Sequence, residues 1–337
     1  MLVRGQDPCF WADSLLATGL EEITHDLSRL DEPGFWAVAI SFEGEVNLAR
    51  FQSVVSSQLP NSEFDFVPIR HWSSSLSKAE YESGVEFVRN EIGRGNVYQV
   101  NLCRILSAEI SANFDGLALA NSLFYHNRAP FFRYLRIPEI EIMSASPERF
   151  LSREGNRVKT SPIKGTASTP DAMLAKDHAE NIMIVDLMRN DLSRISEPGS
   201  VHVSRLLGVE EHPGLVHLVS DVESTLRKDT KWLELANALL PPGSVSGAPK
   251  SSAVEIIKQL EKTPRDIYCG ALGWVDNRTD ERKSELSVAI RTFWRRGEIL
   301  KFGTGAGITW GSDPTREWEE TELKAKRLIG IAEGSIR

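Results

Sequence analysis

Cysteine is scarce in this chain: Cys9, Cys103 and Cys269 are the only thiols in 337 residues. An odd, widely spaced set excludes a disulfide framework or a four-cysteine zinc site and points to a reducing compartment. Positive charge is also short, with 39 Lys and Arg against 47 Asp and Glu and a formal net charge of −8. That balance argues against a general nucleic-acid or anionic-membrane surface. No apolar run is long enough to span a bilayer. The N-terminal stretch, interrupted by Asp7 and Asp13, lacks the basic, apolar, small-residue order of a secretory signal. A cytoplasmic protein is expected. There is no internal repeat and no low-complexity tract. GxSxG, HExxH and P-loop spacings are missing, and the histidines show no ligand spacing.

What is present is ordinary globular chain, 41% hydrophobic and 26% charged, long enough for two domains or one large intertwined one. Residues 35–41 and 46–51 read as a hairpin around Glu43-Gly44. Residues 52–75 read as irregular, with an extended piece near Phe64–Ile69. Ser77, followed by Glu80, predicts a capped helix over 77–93. A long strand is expected within 93–110, a helix at 115–127 and several short strands over 131–160. Further helices are expected at 171–193, 230–240, 251–261 and 315–333, and strand-like runs at 268–276, 286–294 and 298–303. Strands and helices do not alternate strictly, which favours a large α/β (α+β) domain with mostly antiparallel strands over a doubly wound sheet. The serine cluster at 71–78 marks a candidate boundary.

Several residue groups carry chemistry. Asp177 and Glu180 share one helix face, and Glu317 and Glu320 repeat the spacing on the last helix, with Lys324 four residues beyond Glu320. Two such pairs suit an oxygen-rich Mg²⁺ site; from spacing alone two solvated helix faces are the ordinary reading. PPGSVSGAPK (241–250), containing Ser244 and Lys250, can grip an anion at a helix start or serve as a plain loop and cap. GTGAGIT (303–309), with Gly305, allows close approach of a ligand or makes a tight turn. Arg291, in a β-like run, can bind a carboxylate through two hydrogen bonds or sit at the surface. Lys164, in PIKGT, needs desolvation or a nearby cation to act as a nucleophile; otherwise it is an exposed turn lysine. Glu148 lies sixteen residues upstream in SASPERF.

These groups occur together and in order. PIKGT, AENIMIVDLMRNDLSRI (179–195), PPGSVSGAPK, YCGALG (268–273), AIRT (289–292), GTGAGIT and the Glu317–Glu320–Lys324 spacing resemble the chorismate-utilising enzyme family, from about residue 77 to 333. The resemblance implies a fold of two facing antiparallel β-sheets with helices outside. Residues 77–337 would form the chorismate-binding catalytic domain, and 1–76 a shortened N-terminal part integrated in the same fold. It implies Mg²⁺ on Glu180 and Glu320, with Asp177 and Glu317 acting through water. It implies Arg291, Tyr268, Lys324 and the backbone near Gly305 on the substrate carboxylates, His217 beside the chorismate ring and Glu148 near the C4 hydroxyl. Lys164 stands where anthranilate- and salicylate-forming members usually have alanine, and is typical of members that aminate C4. Gln99 stands where the water-adding members carry a lysine base. The resemblance therefore implies C4 amination through a covalent Lys164 adduct, feeding 4-aminobenzoate and folate synthesis. No amidotransferase nucleophile setting is evident, so ammonia is expected from a glutamine amidotransferase partner. Anthranilate formation and a non-catalytic chorismate-binding subunit are the competing readings. The short N-terminal part puts a complete tryptophan-binding site in doubt.

Overall fold

The structure, a computed structural model, describes residues 7–111, 113–167, 169, 171, 175–212 and 215–336. The chain opens with strands β1 (Cys9–Ala12), β2 (Leu15–Thr24), β3 (Phe35–Ile40) and β4 (Val46–Ser56). The two-residue strand β5 (Ser73–Ser74), helix α1 (Lys78–Gly93), β6 (Gln99–Glu109) and α2 (Gly116–His126) follow. Next come β7 (Phe131–Ile137), β8 (Ile140–Ser146), β9 (Arg149–Glu154), β10 (Arg157–Ser161) and β11 (Ile163–Ala167). Helix α3 (Ala175–Ser193), β12 (His202–His212), β13 (Leu215–Thr225), α4 (Trp232–Leu239), β14 (Gly247–Ala248) and α5 (Lys250–Leu260) form the next stretch. The last part holds β15 (Ala271–Asp276), β16 (Lys283–Val288), β17 (Thr292–Arg296), β18 (Ile299–Ile308) and α6 (Pro314–Ala332).

The strand pairings are antiparallel and form one continuous path. From β12 it runs through β13, β10, β9, β16, β15, β3, β4, β2, β1, β7, β8, β17 and β18 to β6. Strand β11 pairs beside β13, and β5 and β14 pair with β6. The ribbon folds back so that its two ends meet: a Cβ on Gly307 of β18 would lie 3.7 Å from Lys164 Nζ of β11. The N-terminal strands belong to the same ribbon, since β3 pairs with β15 along its length.

Local signals explain several elements. Ser77 accepts from the Glu80 N–H while Glu80 accepts from the Ser77 N–H, completing the capping box of α1. Asp313 caps α6, with Pro314 in its first turn. Residues 172–174, at the expected start of the 171–193 helix, lie outside the described residues.

The structure departs from the sequence reading at three places. The run 286–294 is two strands, because the chain switches partners at residues 289–291: β16 pairs with β15 and β9, whereas β17 pairs with β8 and β18. Of the two readings of GTGAGIT the tight turn fails, because GTGAGI continues β18 to Ile308, with ten register pairs along the whole strand to β6. The β12–β13 hairpin, and β1 and β2, are additional. In β12 the outward Leu206 and Val209 are exposed, which blurs the alternation that marks a strand.

Candidate active site

The floor of the site is strand β18. Gly303, Gly305 and Gly307 share one face of it and lack side chains where three groups press in. The Tyr268 ring lies against Gly303, Cys103 Sγ against Gly305 and the Gln99 amide against Gly307; Cβ atoms there would fall 2.0, 2.5 and 2.3 Å from them. Side chains at these positions would fill the space.

Lys164 enters from β11, where it pairs with Leu218 while the next partner, Thr166, pairs with His217. That register brings buried His217 close to it along the sheet. Gly165 makes the approach of α3 possible: its φ is +82°, and a Cβ there would lie 2.8 Å from the Asp177 Cβ. Burial lowers the Lys164 pKa below the usual lysine range, and Lys324 adds to this. Glu180, Glu148 and Glu320 oppose it, so all three carboxylates lie in the field of this ammonium.

Glu148 sits at the β8–β9 connection and is buried, at 4% exposure. Its backbone is fixed on both sides, with Ser146 Oγ accepting from its N–H at 3.2 Å and its carbonyl accepting from Val288 N at 3.0 Å. Desolvation pushes its pKa up from 4.5 to about 7. Hydrogen bonds from Ser244 and the Ile163 backbone, and the charge of Lys164, hold it from rising further. The carboxyl thus titrates in the range a proton donor needs at neutral pH.

The acidic pairs come from two helices. Helix α3 carries Asp177 and the half-buried Glu180; α6 carries buried Glu317 and half-buried Glu320. Lys324 Nζ donates to Glu320 Oε1 at 2.7 Å and to the Gly305 carbonyl at 3.0 Å. Among the described residues no group of three or more His, Cys, Asp or Glu is gathered tightly enough to hold a metal ion. The donor types nevertheless suit Mg²⁺, since the pairs that α3 and α6 offer here are carboxylates, with no thiolate.

Arg291, with φ of +52° at the strand switch, is half-buried. Among the described residues no carboxylate pairs with its guanidinium, and burial alone lowers its pKa. A desolvated cation without a counter-ion is suited to an anionic ligand. Tyr268 is buried, which pushes its phenol well up.

Two predicted grips are placed differently. Ser244 lies beside Glu148 and acts to lower its pKa. Lys250, expected to grip an anion, is instead engaged within the protein: its Nζ donates to Asp191 Oδ2 at 2.7 Å and to the Leu239 carbonyl at 3.1 Å. Asp191 was not singled out in the sequence; it lies 59 residues from Lys250, and no local pattern links them. Gln99 gains weight. It is 1% exposed, and both amide atoms are buried without a hydrogen-bond partner.

A sequence profile for chorismate binding enzymes matches residues 35–330, starting before the span from about residue 77 that the motifs suggested. Aminodeoxychorismate synthase component 1 of Salmonella typhimurium is 37% identical over 295 residues, covering 83% of this chain and 63% of the relative. Anthranilate synthase component 1 of Aquifex aeolicus is 35% identical over 281 residues, covering 79% of this chain and 56% of the relative. The chain thus spans about three fifths of the length of these relatives. Among solved structures, a putative 2,3-dihydroxybenzoate-specific isochorismate synthase from Bacillus anthracis superposes with a TM-score of 0.82 at 24% identity, covering 99% of this chain and 97% of that one. Anthranilate synthase component I from Streptococcus pneumoniae gives 0.81 at 23%, covering 98% and 94%. At those identities the likeness concerns the fold.

Proposed function

The chain belongs to the chorismate-binding enzyme family, and on that premise we propose that it is an aminodeoxychorismate synthase component I. It would convert chorismate and ammonia to 4-amino-4-deoxychorismate, with ammonia from a glutamine amidotransferase partner. One observation carries the reading: a desolvated lysine in PIKGT lies in the same site as a buried carboxyl titrating near 7 and an unpartnered neutral amide, Gln99. A neutral amide at that place offers no base for activating water.

The chemistry follows from these residues. Arg291 and Lys324 supply positive charge for the substrate's two carboxylates. Burial shifts Lys164 toward the neutral amine. Its Nζ attacks C2 of the ring; the C1–C2 and C5–C6 double bonds shift, and the C4 hydroxyl leaves as water with the Glu148 proton. Ammonia then attacks C4, the double bonds return and the C2–N bond breaks, releasing Lys164. Mg²⁺, held by Glu180 and Glu320 with Asp177 and Glu317 behind them, would stabilise negative charge on the ring carboxylate. The Gln99 amide, buried without a hydrogen-bond partner, would be free to hydrogen-bond ammonia.

The test incubates the pure chain with chorismate, Mg²⁺ and ammonium and identifies products by mass. The expected product is 4-amino-4-deoxychorismate, with Lys164→Ala reducing turnover about 10³-fold or more. Anthranilate as the main product, the outcome matching the name of the Aquifex relative, would overturn the assignment. Binding of chorismate without turnover would indicate a non-catalytic subunit.

A further inference from the structure

Lys250 stands at a junction that the chemistry above does not use. The loop between α4 and α5 leaves the first helix at Leu239 and enters the second at Lys250. One ammonium closes both mouths of that loop, because Lys250 Nζ donates to the Leu239 carbonyl on the near side. Its other bond, to Asp191 Oδ2 at 2.7 Å, ties the closed loop to α3. Asp191 is 3% exposed, so the pair is largely dry, and removing one partner strands the other's charge. Burial raises the Asp191 pKa and lowers that of Lys250, with Arg194 and Asn190 also facing the pair.

What the loop carries gives the clamp a consequence. At its centre Ser244, 5% exposed, lies beside the buried Glu148 and acts to lower its pKa. Gly243 beside it lies so close to α3 that a Cβ would come within 2.5 Å of Leu187 and Met188. Farther on, the Ala248 carbonyl accepts from Tyr98 N at 2.7 Å and the Ser246 carbonyl from Asn101 N at 2.9 Å, flanking Gln99. The loop therefore spans from the proton donor to the strand that carries the amide, and its seat on α3 depends on Asp191 and Lys250.

We propose that Lys250 is a positioning residue for proton delivery: its ion pair with Asp191 and its bond to Leu239 seat the loop so that Ser244 donates a hydrogen bond to the Glu148 carboxyl. This rests on the reading of Glu148 as the proton donor. The groups facing that carboxyl are Ser244, Lys164 and the Ile163 backbone. The Ser244 bond favours the ionised form, so losing it raises the pH at which Glu148 gives up its proton.

The experiment measures kcat/KM for chorismate, with Mg²⁺ and ammonium, across about pH 6 to 9. It uses the full chain, Ser244→Ala, Lys250→Met, Lys250→Arg and the Ser244→Ala/Lys250→Met double variant. Ser244→Ala is expected to move the basic limb up by about one pH unit, the weight of one hydrogen bond to a charged group. Lys250→Met should move it the same way, and the double variant no farther than Ser244→Ala. Lys250→Arg should restore most of the wild-type profile, with KM for chorismate changing less than about threefold throughout. An unmoved basic limb in Lys250→Met overturns the proposal, as does a raised KM with the limb in place, which would make Lys250 a substrate ligand. If Lys250→Met does not fold, Asp191→Asn takes its place with the same expected shift, and a wild-type profile there is equally fatal. Glu148→Gln separates the two readings. Turnover retained in Glu148→Gln with its basic limb in place removes Glu148 as the donor; turnover abolished there with the limb unmoved in Lys250→Met removes only the role of Lys250.

Discussion

Replacing Glu148 by Gln should make the protein more stable at alkaline pH while stopping turnover. The carboxyl titrates near 4.5 in the unfolded chain and near 7 in the fold, because burial penalises its charged form. Below about pH 4 it is protonated in both states and costs nothing through ionisation. Between the two values the unfolded chain ionises first, so folding must take up a proton and stability falls as pH rises. Above pH 7 the loss is complete. At 1.36 kcal/mol per pH unit it amounts to about 3 kcal/mol. The attraction of Lys164 and the Ser244 bond are already contained in that pKa, so no separate correction applies. Glutamine keeps the shape and cannot ionise. The difference in unfolding free energy between the variant and the wild type should therefore grow by about 3 kcal/mol between pH 4.5 and 8.5. Urea unfolding followed by the fluorescence of the eight tryptophans measures it at both values. A difference that is the same at both pH values would refute the claim that this carboxyl is held protonated by burial. The activity profile gives an independent check: the wild type should lose kcat/KM above about pH 7, as expected for a required acid.

Arg291→Gln should raise KM for chorismate by about 10- to 100-fold, the weight of a charge-assisted hydrogen bond to a carboxylate, and steady-state kinetics test it. Gly165→Ala should destabilise by about 1–3 kcal/mol, because its φ of +82° strains an L-residue and the new Cβ would meet Asp177; an unchanged urea midpoint would contradict the tight approach of α3. Stripping divalent metal with EDTA should abolish turnover while leaving the far-ultraviolet circular dichroism spectrum intact, and added Mg²⁺ should restore activity. Full activity in metal-free buffer would remove Mg²⁺ from the reading.

Much of the secondary structure was legible because its signals are local. Ser77 and Glu80 mark the start of α1, and Glu43-Gly44 marks the hairpin between β3 and β4. The strand switch at Arg291 was not legible, since each half continues the same β-like pattern and only the partner changes. The β12–β13 hairpin escaped because its outward face carries Leu206 and Val209. GTGAGIT left a turn and a surface open to close approach equally possible; the bare floor exists only once Tyr268, Cys103 and Gln99 lie on it.

The site divides in the same way. The residue types, their order along the chain and the family they belong to follow from the sequence alone, because motifs such as PIKGT and the paired carboxylates are short-range patterns. The tertiary structure decided what each group touches. It placed Glu148, Glu180 and Glu320 in the field of Lys164, left Arg291 without a carboxylate partner among the described residues and turned Lys250 toward Asp191. Spacing can place two residues on one helix face. Desolvation and ion pairing across tens of residues depend on which surfaces the folded ribbon brings together, and these decide that Lys164 lies among Glu148, Glu180 and Glu320 while Lys250 pairs with Asp191.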